Sequence, residues 1–320
     1  MIILLAGAGG QLGRDLQPAL RGAQLHPFDH RQLDIADARA VNAAVDRVHP
    51  DWIINAAAFN DVDGAEQAPD QAFAVNVVGA GNLADAAARA GSAIVHISTD
   101  YVFDGAKGAP YTEDDRPNPL SVYARTKYEG EQRVLASGAS ACVLRTAWLY
   151  GWQGKNFVKA ILAAAERGGP LRVVADQVGS PTATRDLSEA IAGLIGRDFP
   201  QPPNPSPSGG GQGGGEAKNL PPPRAGEGQG GGSGQGGGPG WGLFHVVNSG
   251  ACSRFEFAKA IVGGRVEVQP ITTAEAARVA PRPKFSALTS TRWPATGLPA
   301  LSSWEVALER FLAEKQAPEH

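Results

Sequence analysis

A doubly wound α/β fold is what the sequence predicts, and three observations carry that prediction. The chain opens on an unbroken apolar run, residues 2–6, of the kind that strands buried on both faces show. A glycine turn, G-A-G-G-Q-L-G, follows at once. It places Gly7, Gly10 and Gly13 in a G-x-x-G-x-x-G spacing before a helical pattern at Leu12, Leu16 and Leu20. Strand-length apolar runs then alternate with helical stretches as far as residue 150. Together these predict a Rossmann-type parallel sheet over residues 1–150, shared in part with later segments. A smaller α/β substrate-binding region is expected over 151–199 and 243–320. Residues 200–242, dominated by Gly, Pro, Ser and Gln, read as a disordered low-complexity insertion, because they cannot bury enough to offset their ordering entropy.

Strand, glycine turn and helix in succession form a dinucleotide site. The glycines permit a tight turn and close backbone approach, and the helix N-terminus receives a pyrophosphate. A second strand over residues 24–28 ends at Asp29, where an acidic side chain commonly takes the adenosine ribose hydroxyls. Arg31, two residues on, suits a 2′-phosphate, so NADH and NADPH are both admitted. Asp34 and Ile35 fall near the adenine. A helix is expected over 38–48 and a strand over 51–55, leading into N-A-A-A-F-N (55–60), whose small alanines let a ligand approach the backbone. A helix over 70–90 puts Phe73, Val77, Leu83 and Ala87 on one stripe. Residues 93–97 are the next strand.

S-T-D-Y-V-F-D-G (98–105) lies just past that strand, where a ligand crevice is expected. Pro117 and Pro119 break the loop that follows, and a helix then carries Tyr123, Lys127, Glu131 and Leu135. Further strands are expected at 142–146 and 171–175, with helices at 156–167 and 186–195 and a polar turn at 176–181 between them. Trp148 follows the end of the first of these strands. Beyond the insertion come a strand at 243–247, Ser253 as N-cap of a helix at 255–262, a strand at 266–268 and a short helix at 273–279. A Pro-stiffened loop spans 280–288. A terminal helix over 303–314 packs through Val306, Leu308 and Leu312.

Composition narrows the function classes. A net charge of −3 and a pI near 6.1 give no footprint for nucleic acid or a membrane surface. Cys142 and Cys252 stand far apart in apolar contexts and read as inert core thiols. The apolar start, without a basic flank or cleavage site, reads as a strand rather than a signal peptide, and no run approaches the ~18 residues that span a bilayer. A cytoplasmic protein is expected.

The chemistry lies between Ser98 and Lys127. Tyr123 and Lys127, four apart, share a helical face with Cβ atoms about 5–6 Å apart. A nearby ammonium is expected to favour the phenolate and lower the tyrosine pKa from about 10. Such a phenol donates a proton to a developing alkoxide, and a neighbouring hydroxyl, Ser98 or Thr99, holds the carbonyl oxygen in line. With a hydride donor alongside, this is equipment for reducing a ketone.

These residues make the chain similar to the dTDP-4-dehydrorhamnose reductase family, a branch of the extended short-chain dehydrogenases/reductases. The resemblance rests on the glycine turn, N-A-A-A-F-N-D-V-D-G-A-E, S-T-D-Y-V-F-D-G, V-Y-A-R-T-K-Y-E-G-E, L-R-T-A-W-L-Y-G, N-F-V-K, D-Q-V-G-S-P-T, F-H-V-V-N-S-G and R-P-K-F-S-A-L. It covers the whole chain except the insertion. It implies NADPH- or NADH-dependent reduction of the C4 ketone of dTDP-4-dehydro-β-L-rhamnose to dTDP-β-L-rhamnose, the last step in making that sugar donor. It also implies Thr99, Tyr123 and Lys127 as the catalytic set, with Thr99 rather than Ser98 beside the tyrosine. Cofactor contacts are implied at Gly10, Gln11, Leu12, Asp29, Asp34, Ile35, Ala58, Phe59, Asn60, Tyr123 and Lys127, alongside Gly7 and Gly13 of the turn. Substrate contacts are implied at Thr99, Asp100, Trp148, Arg282 and Ser286. Some members use Mg²⁺ at a dimer contact built from glutamates. Asp15 stands at the matching early position, so the metal is undefined and monomer and homodimer are both admitted. From the residues alone the sugar is undefined, and a reductase of another nucleotide-linked keto sugar is the alternative. A non-catalytic nucleotide-sensing relative is disfavoured by the intact trio.

Overall fold

The computed structural model describes residues 1–195 and 241–316, so residues 200–240 of the expected insertion lie outside the described residues. The first half alternates strand and helix: β1 (Ile2–Ala6), α1 (Gln11–Ala19), β2 (Gln24–Phe28), α2 (Ala38–Val48), β3 (Trp52–Asn55), α3 (Val62–Gln67), α4 (Pro69–Phe73), a π-helix (Ala74–Gly79), α5 (Ala80–Ala90), β4 (Ala93–Thr99), α6 (Val122–Leu135) and β5 (Ser140–Thr146). Shorter elements follow: β6 (Leu149–Tyr150), α7 (Phe157–Arg167), β7 (Leu171–Val174), β8 (Val178–Gly179), β9 (Thr182–Ala183) and α8 (Thr184–Ile195). After the gap come β10 (Gly242–His245), β11 (Cys252–Ser253), α9 (Arg254–Val262), β12 (Val268–Ile271) and α10 (Trp304–Gln316).

The main sheet has the order β10-β5-β4-β3-β1-β2, and every pairing in it is parallel. The chain steps outward from β1 to β2, then returns to the other side for β3. At such a reversal a crevice opens beyond the carboxyl ends of the strands. The turns after β1 and β3 meet there. A Cβ on Gly7, whose φ is 81°, would lie 2.5 Å from the Ala57 nitrogen, so this contact requires glycine.

Both sheet faces are covered, which is why the strands read as unbroken apolar runs. Ile3, Leu5, Val95 and Leu144 pack against Leu12 and Leu16 of α1 and Leu187, Ile191 and Leu194 of α8. Leu4, Ile53, Ile94 and Val143 pack against α2, α5 and α6 through Val41, Val45, Leu83, Ala87 and Val134. A separate core joins α7, α9 and α10 through Val158, Phe257, Ile261, Leu308 and Phe311. Segments beyond residue 150 thus complete the first sheet, α8 by packing on it and β10 by extending its edge.

Several expectations are corrected. Trp241 and Gly242 belong to the fold, not the insertion: Trp241 is buried and stacks on Trp52 at 5.7 Å, and Gly242 opens β10. β4 runs on through Thr99, so both hydroxyls sit on the strand end rather than beyond it. The helix expected over 70–90 is three segments. The π turn's wider spacing resets the register, leaving Phe73 exposed while Val77, Leu83 and Ala87 are buried. The 266–268 strand begins at Val268, where it pairs with β7. Residues 273–277 form turns instead of a helix, because Ala277 takes a left-handed conformation (φ 46°) that stops the turn begun at Thr272. On α10, Val306 faces outward and Ala307, Leu308 and Phe311 face the core. Among the described residues no helix is long and apolar enough to cross a membrane.

Candidate active site

Two confluent cavities of about 500 and 330 Å³ run along the carboxyl edge of the sheet. They share Gly10, Ala56, Ala57, Ala58 and Asn60. The larger one is shaped by the glycine turn. Gly10 caps α1 without a side chain, leaving the first-turn N–H groups directed at the cleft. A Cβ on Gly13 would lie 2.2 Å from the Gly7 carbonyl oxygen. At the far end lie Asp29, Asp34 and Ile35, with Arg14 and Arg31 beside them. One Asp29 oxygen accepts from the amides of Arg31 (2.8 Å) and Gln32 (3.0 Å), and the first of these bonds does most to hold that carboxyl below its ordinary range. A helix N-terminus, glycines that no side chain can replace, and an acid at the end of β2 fit a dinucleotide.

Ala58, Phe59 and Asn60 follow β3, and buried Asn76 on the π-helix holds them. Its side chain accepts from the Phe59 amide at 2.9 Å and donates to the Phe59 carbonyl at 3.3 Å and to the Thr126 hydroxyl of α6 at 3.1 Å. The sequence offers no sign of this role beyond a polar residue in a helical stretch.

The smaller cavity brings Gln11, Leu12, Thr99, Asp100, Tyr123, Lys127 and Trp148 together. Ser121 caps α6 by accepting from the Ala124 amide at 3.2 Å, and the first turns of that helix carry Tyr123 and Lys127 inward. Lys127 donates to the Ile97 carbonyl at 2.6 Å. Burial brings its pKa down to about 8, opposed by Glu131. Tyr123 does not behave as expected. Burial raises the phenol above its ordinary value, a hydrogen bond with Thr99 opposes that rise, and the Asp100 and Tyr101 side chains add to it. Desolvation therefore outweighs the Thr99 hydrogen bond, and Tyr123 is held as a protonated phenol. That is the form a proton donor needs.

Asp100 is buried beside these groups. It accepts from Ser286 at 2.5 Å and from Thr99 at 3.1 Å, while burial raises its pKa to about 6. Ser286 thus reaches the site through Asp100. Arg282 is engaged elsewhere, in a two-point pair with Asp63 at 2.9 Å for each contact, and it does not line the cavity. Trp148 forms a wall: the Arg254 guanidinium lies 3.5 Å over its ring, and a Cβ on Gly179 would come within 2.4 Å of it. Arg254 and Gly179 escape sequence reasoning, since neither position carries a local signal. Lys155 also lines this cavity and has no ion-pair or hydrogen-bond partner among the described residues.

The Asp15 carboxylate accepts from the Thr184 hydroxyl, and no three metal-ligating acids, histidines or cysteines come together among the described residues. Cys142 and Cys252 are buried and not joined in a disulfide, each pushed up in pKa by burial.

The family model described as the RmlD substrate binding domain matches residues 1–206 and 234–317. A dTDP-4-dehydrorhamnose reductase of Mycobacterium tuberculosis is 38% identical, over 97% of this chain and 92% of its own. A probable dTDP-4,6-dihydroxy-2-methyloxan-3-one 4-ketoreductase of Streptomyces antibioticus is 35% identical, over 99% of this chain and 96% of its own. The crystal structure of a dTDP-4-dehydrorhamnose reductase of Bacillus anthracis in complex with NADP superposes with a TM-score of 0.82 at 35% identity, covering 98% of each chain.

Proposed function

The chain belongs to the dTDP-4-dehydrorhamnose reductase family, and on that premise we propose that it reduces the C4 ketone of dTDP-4-dehydro-β-L-rhamnose to dTDP-β-L-rhamnose with NADPH or NADH. The convergence of Thr99, Tyr123 and Lys127 on a cavity confluent with the dinucleotide cleft carries this reading. When bound, the dinucleotide supplies a hydride to the carbonyl carbon. Thr99 orients the carbonyl oxygen. Tyr123 gives that oxygen its phenolic proton as negative charge develops, a downhill transfer because an alkoxide is a stronger base than a phenolate. Lys127, charged below about pH 8, stabilises the phenolate left behind. Hydride plus proton turns ketone into alcohol. Trp148 walls the sugar side.

We further propose a cytoplasmic enzyme, monomer or homodimer, without nucleic-acid or membrane partners. Sedimentation of the purified protein distinguishes the two oligomeric states. In the activity test, cofactor absorbance falls only when the dTDP-keto sugar is present, and Tyr123→Phe loses about 10²–10⁴-fold in turnover. Normal turnover by that variant would sink the mechanism. The Streptomyces relative favours a second reading, a ketoreductase acting on another dTDP-linked keto sugar. A panel of keto sugars separates the two by their kcat/KM ratios.

A further inference from the structure

Behind the reacting groups, three elements are tied at one carboxylate. Glu131 of α6 is wholly buried and accepts from the Ser98 hydroxyl at 2.5 Å, from Arg145 Nε at 2.9 Å and from Arg145 Nη2 at 2.6 Å. Ser98 and Arg145 stand opposite each other in the β4–β5 register, so one carboxylate joins two neighbouring strands to the helix above them. The strand donor adjoins Thr99. The helix acceptor lies four residues from Lys127 and eight from Tyr123, on one helical face. The arginine is buried as well: its guanidinium lies 5.1 Å from the Phe103 ring centroid, and its Nη1 has no hydrogen-bond partner among the described residues.

A buried ion pair of this kind adds little net stability, because removing two charges from water offsets their attraction. What it supplies is position. The titratable and charged groups around Lys127 are Tyr123 and Glu131 on α6, His96 on β4, Asp100 just past β4, Arg145 on β5, and Lys155, which lines the same cavity. Burial keeps the His96 imidazole neutral, and Glu131 is the anion that favours the charged ammonium.

We infer that Glu131 is a positioning residue, which sets the spacing between Thr99 and the Tyr123–Lys127 face through Ser98 and Arg145 and sets a carboxylate one helical turn from the Lys127 ammonium. The inference rests on the reductase reading, and its test has one arm that needs no turnover. In ¹⁵N-lysine spectra of the full-length protein, the Lys127 ammonium of Glu131→Gln titrates about one pH unit or more below its wild-type midpoint. The alkaline limb of kcat/KM moves down by the same amount. Ser98→Ala cuts the strand-to-helix bond and leaves the ion pair. It lowers kcat without moving either midpoint. Because Glu131→Gln strands a buried arginine, the double variant Glu131→Gln/Arg145→Met, neutral at both positions, is measured beside it and shifts by less, since the arginine's repulsion is removed along with the glutamate's attraction. Unmoved Lys127 midpoints in both Glu131 variants overturn the charge role, and wild-type kcat in Ser98→Ala overturns the spacing role. An inactive wild type whose Lys127 midpoint still shifts on substitution counts against the reductase reading alone.

Discussion

Arg282 grips Asp63 through two parallel bonds, each 2.9 Å, and so fastens the 280–288 loop to α3. A third link is the Ala280 amide, which donates to the same carboxylate at 2.9 Å. The hydrogen bonds from Arg282 lower the Asp63 pKa from 3.8 to about 2. A depressed carboxyl stabilises the fold above its unfolded pKa and loses that contribution as pH falls toward 2. Arg282→Ala is therefore expected to cost about 1–2 kcal/mol at pH 7, read as a melting temperature lower by a few degrees, with the deficit closing below pH 4. The loop carries Ser286 to Asp100, so KM for the sugar rises more than kcat falls. A variant with unchanged KM would show that the loop does not shape the sugar site.

Two glycines separate the halves of the site. At Gly7 a methyl group meets backbone 2.5 Å away in a left-handed conformation, whereas at Gly179 it meets the Trp148 ring at 2.4 Å. Gly7→Ala is expected to raise the NADPH Kd about tenfold or more, a loss of at least ~1.4 kcal/mol. Gly179→Ala displaces the tryptophan wall, leaves the NADPH Kd near wild type and raises the sugar KM. Fluorescence titration and steady-state kinetics check both. Equal effects of the two variants on cofactor affinity would refute this division.

Local signals made much of this legible. α2 spans the residues expected of it, 38–48; in the fold Asp37 caps its start by accepting from two amides and left-handed His49 closes its end. The glycine turn and the Tyr123–Lys127 spacing were readable because each depends on a few neighbouring residues. What escaped depends on partners distant in the chain. Asn76 is informative only once α6 and the 58–60 loop lie beside it, Arg254 once Trp148 lies beneath it, and Glu131 once two strands present Ser98 and Arg145. The tyrosine pKa was misjudged for the same reason: helical spacing reveals the ammonium, but desolvation is a property of everything packed around the phenol.

Trp241 escaped because composition averages it into a glycine-rich surrounding. In the fold it stacks on Trp52 with planes 24° apart, within the core under α1 and α8. Trp241→Ala is expected to cost about 3–5 kcal/mol, measured as a lower urea midpoint with unchanged cofactor affinity per folded molecule. A loss under about 1 kcal/mol would mean that this edge of the core begins later than Trp241.

Asp100 sets function against stability. Burial raises its carboxyl from 3.8 to about 6, while the Ser286 and Thr99 hydroxyls oppose the rise. The folded state therefore binds the proton more tightly than the unfolded chain. Stability falls as pH climbs from about 4 to 6 and then stays flat, with a cost on the order of 3 kcal/mol above pH 6. Asp100→Asn removes the buried charge, so its melting temperature is expected to exceed the wild-type value at pH 8, and the gap to close between pH 6 and 4. Activity moves the other way. The ionised carboxylate is the acceptor that holds Ser286 and Thr99, so wild-type kcat/KM declines as pH drops through about 6. Asp100→Asn lowers kcat/KM at pH 8 and lacks that inflection. Paired melting and kinetic profiles over pH 4–9 read both effects, and an inflection near pH 6 that survives in the variant would assign it to another group.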